Sequence, residues 1–334
     1  MISLLVDWQE DQTKTFIHLV KIDTAQQAML IDAVDQALSQ QVRSVLHHPG
    51  FQKLEASWRS LHWLVHTAET GTDLKIRMVH MTKDELQQDL AASPALEESG
   101  LARLLLEPAS VPGSQSATLL IGNYAFAHTS EDLALLARLG GIAQQLRAPF
   151  VAAASPRLLG CASFTEMASA SEVVRQLRGP SYQEWHALRR SPAARWLALG
   201  LPRLLLRLPY GAATEPADSF MFEEHINSSD HAKLLWGNPA FAIGAVVAGA
   251  FAVAGWLLDL AERGQRLAGF PLYIYHEEGM AMTQPCAEVL LSERIVTALE
   301  EAGLVPLVSY RDTDMVALPC IQSLGEPRSR LRWG

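Results

Sequence analysis

Apolar residues recur at three- and four-residue spacings over the first seventy positions of the chain. Between 24 and 48, Leu30, Ile31, Val34, Leu38, Val42 and Val45 share one side of a predicted helix. It opens on a capping box of Thr24 and Gln27 and ends where His48 precedes Pro49. A second helix begins at once and runs to about Thr70, with Gly71 as its stop. Phe51, Leu54, Trp58, Leu61 and Val65 line one face of it, while Lys53, Glu55 and Arg59 lie off that stripe. Trp58 and Trp63 give it a large apolar contact area for its length. This is the pattern of a docking helix, with nothing of a reaction centre. Ahead of both helices, residues 2–8 and 15–22 alternate and predict a hairpin.

Beyond residue 70 the pattern changes. Residues 73–79 alternate as a half-buried strand, and Thr82 with Glu85 forms a capping box for a short helix. A further helix is predicted across Leu96–Leu106, then a loop at Pro108, Pro112 and Gly113. A buried strand at 117–122, a helix opened by Thr129 and Asp132, and a strand at 149–155 form a βαβ unit of a largely parallel sheet. That helix carries Leu133, Leu136, Leu139, Ile142 and Leu146. Ser181 with Glu184 predicts the cap of a helix through Arg189, and residues 196–211 read as a strand bent at Pro202. Residues 212–233 are loop-like, 272–276 a strand, 292–303 an amphipathic helix stopped by Gly303, and 305–309 and 314–319 two strands. The fold class is therefore α/β, a mixed, partly parallel sheet with flanking helices and an N-terminal helical arm. The expected divisions are an arm at 1–70 (with the short hairpin in 1–22), a body at 71–324 and a basic tail at 325–334, mobile or meeting a partner; a weaker division falls near 212.

The 334 residues, 49% hydrophobic and 19% charged, can bury a substantial core. A net charge of −9 argues against a nucleic-acid partner, which needs clustered Lys and Arg. Cys161, Cys286 and Cys320 are odd in number and far apart, which fits neither a zinc site nor a disulfide framework and implies a reducing cytoplasm. Asp7, Glu10 and Asp11 stand where a signal peptide needs a basic start. From Ala240 to Leu258 no charge occurs over 19 residues, long enough to cross a bilayer. The run is built from Ala, Gly and Val and is followed by Asp259, so it reads as a buried helix and no membrane span is expected.

Candidate chemistry is thin. His62 and His66 have metal-ligand spacing, but Trp63 stands where a glutamate would be needed. His47 and His48 sit at the helix break, where a side chain caps or packs. Glu223, Glu224, His225, Asp230 and His231 are the densest polar group, compatible with a metal or acid–base pair but commoner as a solvated loop. No nucleophile elbow, P-loop or dinucleotide fingerprint is present. No catalytic, cofactor-binding or metal-ligating set is assigned, and no cofactor is expected. Arg189, Arg190 and Arg195, flanked by Trp185 and Trp196, and further on Arg203 and Arg207, are either solvated faces or contacts to neighbouring subunits. The candidate interface is Phe51, Leu54, Trp58, Leu61, Trp63, Trp185, Arg189, Arg190, Arg195 and Trp196.

Six segments carry a resemblance: LHHPGFQKLEASWRSLHWLV at 46–65, IGNYAF at 121–126, APFVAAASP at 148–156, LPRLLLRLPYG at 201–211, LWGNPAFA at 235–242 and GLVPLVSYRDTDMVAL at 303–318. In this order they resemble the large subunit of the type VI secretion contractile sheath, the TssC family, with this chain expected to be shortened at both ends. The resemblance implies a cytoplasmic bacterial structural protein, not an enzyme. Its implied partners are a small sheath subunit and copies of itself, with an inner-tube protein and a baseplate beyond them. The alternative is a non-polymerising sheath-like adaptor or regulator. A resident enzyme resting on the loop at 223–231 is a third, weaker reading.

Overall fold

The structure, a computed structural model, describes residues 3–6, 17–20, 24–68, 70–109, 116–167, 169–217, 220–226, 230–255 and 264–332. The chain resolves into two compact units, Met1–Gln52 with Pro209–Asn227, and Lys53–Leu208 with Ser228–Gly334. The first boundary lies inside a helix, eighteen or so positions before the expected division near 70, and the second lies close to the weaker one expected near 212.

In the first unit, β1 (Ser3–Val6) pairs antiparallel with β2 (Ile17–Val20), as the alternation predicts. Helix α1 is Thr24–Leu46, so Thr24, the expected cap, is its first helical residue. Its apolar stripe points outward: Leu30, Ile31, Val34, Leu38 and Val45 are all exposed. Helix α2 (Pro49–Thr67) follows after a two-residue break.

The second unit is built on a parallel sheet. Its strands are β3 (Leu120–Phe126), β4 (Phe150–Ala154), β5 (Leu197–Leu201) and, late in the chain, the short Val305–Pro306, in the spatial order Val305–Pro306, β5, β4, β3. β4 and β5 are buried at every position, which is why they read as continuous apolar runs. The period of two divides them between two cores. Phe150, Ala152, Ala154, Leu197, Leu199 and Leu201 join the larger cluster, where Leu133, Leu136, Leu139, Ile142 and Leu146 also lie. Val151 and Ala198 join the smaller one, with Ala240, Ile243, Val246 and Val247. The five leucine and isoleucine positions of the first set belong to the crossover helix Ser130–Leu146, capped by Thr129 through Asp132 N.

The long uncharged run forms a helix at Ala240–Ala254, and its Ala/Gly composition has a packing reason. A Cβ on Gly244 would come within 2.5 Å of Ile121 Cδ1, and one on Gly200 within 2.9 Å of Ile243 Cδ1. Small residues let this helix lie close against the sheet. Asn238 fixes its start, accepting from Ala240 N at 2.9 Å and donating to Tyr124 O at 3.1 Å. Burial runs from Ala240 to Ala248 and then stops, leaving Val253 exposed; residues 256–258, the end of the expected buried run, lie outside the described residues. Among the described residues no helix is long and apolar enough to cross a membrane.

The Thr82–Glu85 capping box forms in both directions and opens the helix Lys83–Ala92. Other expectations change. Residues 73–79 form no strand among the described residues, and Ile76, Met78 and Val79 are exposed. Alternation supplies two faces for a strand, but a ladder also needs a neighbouring edge. The helix expected across Leu96–Leu106 divides at Ser99 into a short 3-10 turn (Leu96–Glu98) and the helix Gly100–Ala109, because the Asp89 carboxylate takes Gly100 N and Leu101 N and starts a new N-terminus there. That helix runs through Pro108, while Pro112 and Gly113 lie outside the described residues. The strand expected at 117–122 runs instead from Leu120 through the IGNYAF segment. Ser181 caps nothing, because a 3-10 turn at Pro180–Tyr182 leads directly into the helix Gln183–Arg190.

Residues 196–211 divide at Pro202 as expected, into β5 and the two-residue strand Leu204–Leu205, which pairs with Trp236–Gly237. The strand predicted at 272–276 is Tyr273–Glu277, and it forms a hairpin with Met280–Gln284. Ser292 caps the helix Glu293–Glu301, and Gly303 at φ 81° follows it as its stop. Val308–Ser309, Val316–Leu318 and Gln265–Leu267 make a small antiparallel sheet. The tail, expected to be mobile or to meet a partner, makes contacts with the body at a few points. Leu331 is buried, Ser323 N donates to Ser329 O at 3.0 Å, and Glu326 N donates to Arg189 O at 2.8 Å.

Candidate docking interface

The break before α2 is made by one side chain. His48 Nδ1 accepts from Gly50 N at 3.2 Å, and Pro49 occupies the first helical position, where its missing N–H costs nothing. The helix then buries a face beside the predicted docking stripe. Ser60 and Leu64 are its buried positions, and Leu64 with Ala68, just past its end, clusters with Phe241, Ala245 and Ala248. Small residues on both helices allow the close approach. Asn123 Nδ2 donates to Ser57 Oγ at 2.8 Å on the same side. Trp63 is half-buried, its ring 5.1 Å from that of Phe270.

The predicted stripe therefore faces solvent. Leu54 and Trp58 are each 56% exposed, Phe51 and Val65 are exposed to a lesser degree, and Leu61 is half-buried. A helix with two apolar faces, one buried in its own body and one bare, has a surface to offer a partner. Its flank is held by charge. Glu55 Oε1 accepts from Arg59 Nε and from Arg207 Nε, both at 2.8 Å, and Arg207 is 4% exposed.

The second group of predicted interface residues comes apart. Trp185, Arg189 and Trp196 are buried inside the body, so they offer no free surface, and only Arg190 and Arg195 are exposed. Arg189 Nε donates to Leu324 O at 3.0 Å and Arg189 Nη2 to Glu301 O at 3.2 Å. This ties Leu324, just before the tail, to the end of the helix Glu293–Glu301, and burial pulls the guanidinium below its ordinary pKa. Arg203 is paired bidentately with buried Glu288 at 2.7 and 2.8 Å.

The acidic, histidine-rich segment consists of separate structural pairs. Glu224, fully buried, accepts from Tyr210 N at 2.9 Å and meets His47 Nε2 at 3.1 Å. Glu223 Oε1 accepts from Ala212 N at 2.9 Å, while the Glu223 carbonyl accepts from Arg43 Nε at 2.8 Å. Asp230 pairs with Lys233 at 2.8 Å. His66 Nδ1 lies 2.8 Å from the His62 carbonyl. Among the described residues no group of three His, Cys, Asp or Glu side chains is arranged to hold a metal. All three cysteines are free. Burial pushes Cys286 up to about 11 and also raises Cys161, so both stay thiols at neutral pH. A cavity of about 190 Å³ beside Cys161 holds Glu166 and Glu172, the latter paired with Arg175.

His231 stacks on Trp236 with ring centroids 4.8 Å apart. Burial depresses its pKa below the ordinary 6.5, and the Glu288 carboxylate offsets this only in part because Arg203 neutralises it. A ring kept neutral by the fold contributes stability fully above pH about 6.5, and loses it as pH falls through the depressed folded value. His231→Gln is expected to flatten the slope of Tm against pH between about pH 7 and pH 5. Thermal melts across that range check it, and an unchanged slope would show that His231 is not the group responsible.

A family profile described as "EvpB/VC_A0108, tail sheath N-terminal domain" (VipB) matches residues 28–325. The Pseudomonas aeruginosa "Type VI secretion system sheath protein TssC1" is 33% identical over 304 residues, covering 89% of this chain. The chain spans 61% of that relative's length. The profile takes in most of α1, all of α2, the parallel sheet and its flanking helices, and on these two matches the chain belongs to the VipB/TssC family of sheath proteins.

Proposed function

We propose that this chain is a structural subunit of a contractile type VI secretion sheath. In this reading it assembles in the cytoplasm with a small sheath subunit and with copies of itself around an inner tube, and catalyses no reaction. The observation that carries the reading is the bare stripe of Leu54, Trp58 and Val65 on a helix already seated by its other face. Such a surface costs free energy in water and is stabilised when a partner covers it, by roughly 25 cal/mol per Å² of apolar area. Membership of a sheath family supplies the class of partner. The exposed Arg190 and Arg195 are a second, polar contact region in the same proposal.

Co-expression with a small sheath subunit, followed by electron microscopy, tests it. Tubes are the expected result. A discrete, non-polymerising complex would replace it with the adaptor reading, and the absence of any complex would overturn it.

A further inference from the structure

The geometry points to Glu55 and Arg207 as the positioning pair that sets the rotation of α2 about its own axis, and so aims Leu54 and Trp58 outward. The inference rests on the docking reading above. Taking about 100° per residue, Trp58 lies about 40° and Val65 about 20° from Leu54 around the helix. On one side of this outward sector, about 60–120° away, lie Ser57, Ser60 and Leu64, which carry the Asn123 hydrogen bond and the buried seam. On the other side, about 100–140° away, lie Glu55 and Arg59.

A helix held along one seam can still roll about that seam. The seam here sets Leu64 and Ala68 against Phe241, Ala245 and Ala248, mostly small side chains that give a shallow hold on the helix's rotation. The second hold comes from a residue 152 positions away, Arg207, whose Nε meets Glu55 Oε1 at 2.8 Å while its Nη1 donates to Leu208 O at 3.0 Å. Arg59 Nε shares the same oxygen from the next turn of the helix. Glu55 Oε2 is buried with no hydrogen-bond partner among the described residues, so the carboxylate is held through Oε1. Desolvated pairs of this kind are often no more stabilising than apolar side chains of similar size. What the apolar pair lacks is a fixed direction. That difference separates positioning from mere stability.

The test uses the double variant Glu55→Met/Arg207→Met in the full chain. Its Tm is expected to stay equal to that of the parent or to rise. Hydroxyl-radical footprinting of the isolated chain is expected to show the oxidation rate of Trp58 falling at least twofold as the helix rolls. Affinity for the small sheath subunit should then fall about tenfold while stability does not. An unchanged footprint in a folded double variant would overturn the inference, whatever the binding result. If the double variant does not fold, Glu55→Asp, which retracts the carboxylate by one methylene, takes its place with the same readout and the same overturning result. A parent chain that fails to bind the small subunit is a failure of the docking reading alone, because the footprint is read without a partner.

Discussion

Trp58→Glu is expected to leave the chain folded and to stop it assembling. The side chain is 56% exposed, so its removal opens no cavity. Glutamate is as good a helix former as the positions around it require, and surface substitutions of this kind change stability by about 0.5 kcal/mol or less. At an interface the same position is worth far more. Tryptophan is among the residues that dominate binding energy, and truncating such an anchor typically costs about 2 kcal/mol or more, a loss of about 30-fold in affinity. A buried, unpaired carboxylate in its place raises the cost further. Circular dichroism melts and a pull-down with the small sheath subunit read the two halves separately. Retained binding would remove Trp58 from the interface, and a large fall in Tm would show that it is a core residue.

The second large effect has the opposite sign pattern. Trp185 is fully buried in the larger core cluster, on the helix Gln183–Arg190. Trp185→Ala is expected to cost about 3–5 kcal/mol, the sum of lost burial and the cavity left behind. Its indole N–H has no hydrogen-bond partner among the described residues. Trp185→Phe therefore removes volume but no bond, and is expected to cost clearly less than the alanine variant. Chemical denaturation of the two variants checks both the size and the order. A Trp185→Ala chain as stable as the parent, yet unable to assemble, would restore the surface role first suggested by its arginine neighbours.

The contrast between these tryptophans shows what sequence can carry. The βαβ unit was legible because its signals are local: Thr129 caps through Asp132 N, and the leucines of Ser130–Leu146 recur at helical spacing. The strand Phe150–Ala154 reads as an unbroken apolar run because both of its faces are covered. The α2 stripe was legible too, but periodicity marks a face without saying whether the chain itself or a partner covers it. Trp185 carried a usable signal, its spacing of three to Leu188 and its place three residues after Tyr182, all now buried, but the adjacent Arg189 and Arg190 pointed to a surface.

The rest depended on partners distant in sequence. Arg207 finds Glu55, and Arg189 finds carbonyls at Glu301 and Leu324, over separations no local spacing encodes. For the same reason residues 73–79, with a strand-like pattern, remained without a ladder, and the basic tail found a seat.

Hydroxyl-radical footprinting of the chain, alone and mixed with a small sheath subunit, tests the outward stripe of α2 most directly, with Trp185 as the internal reference. The account predicts rapid oxidation of Trp58 in the free chain and strong protection in the complex, with Trp185 protected in both. Equal oxidation of Trp58 in the two states, or protection of it already in the free chain, would contradict it.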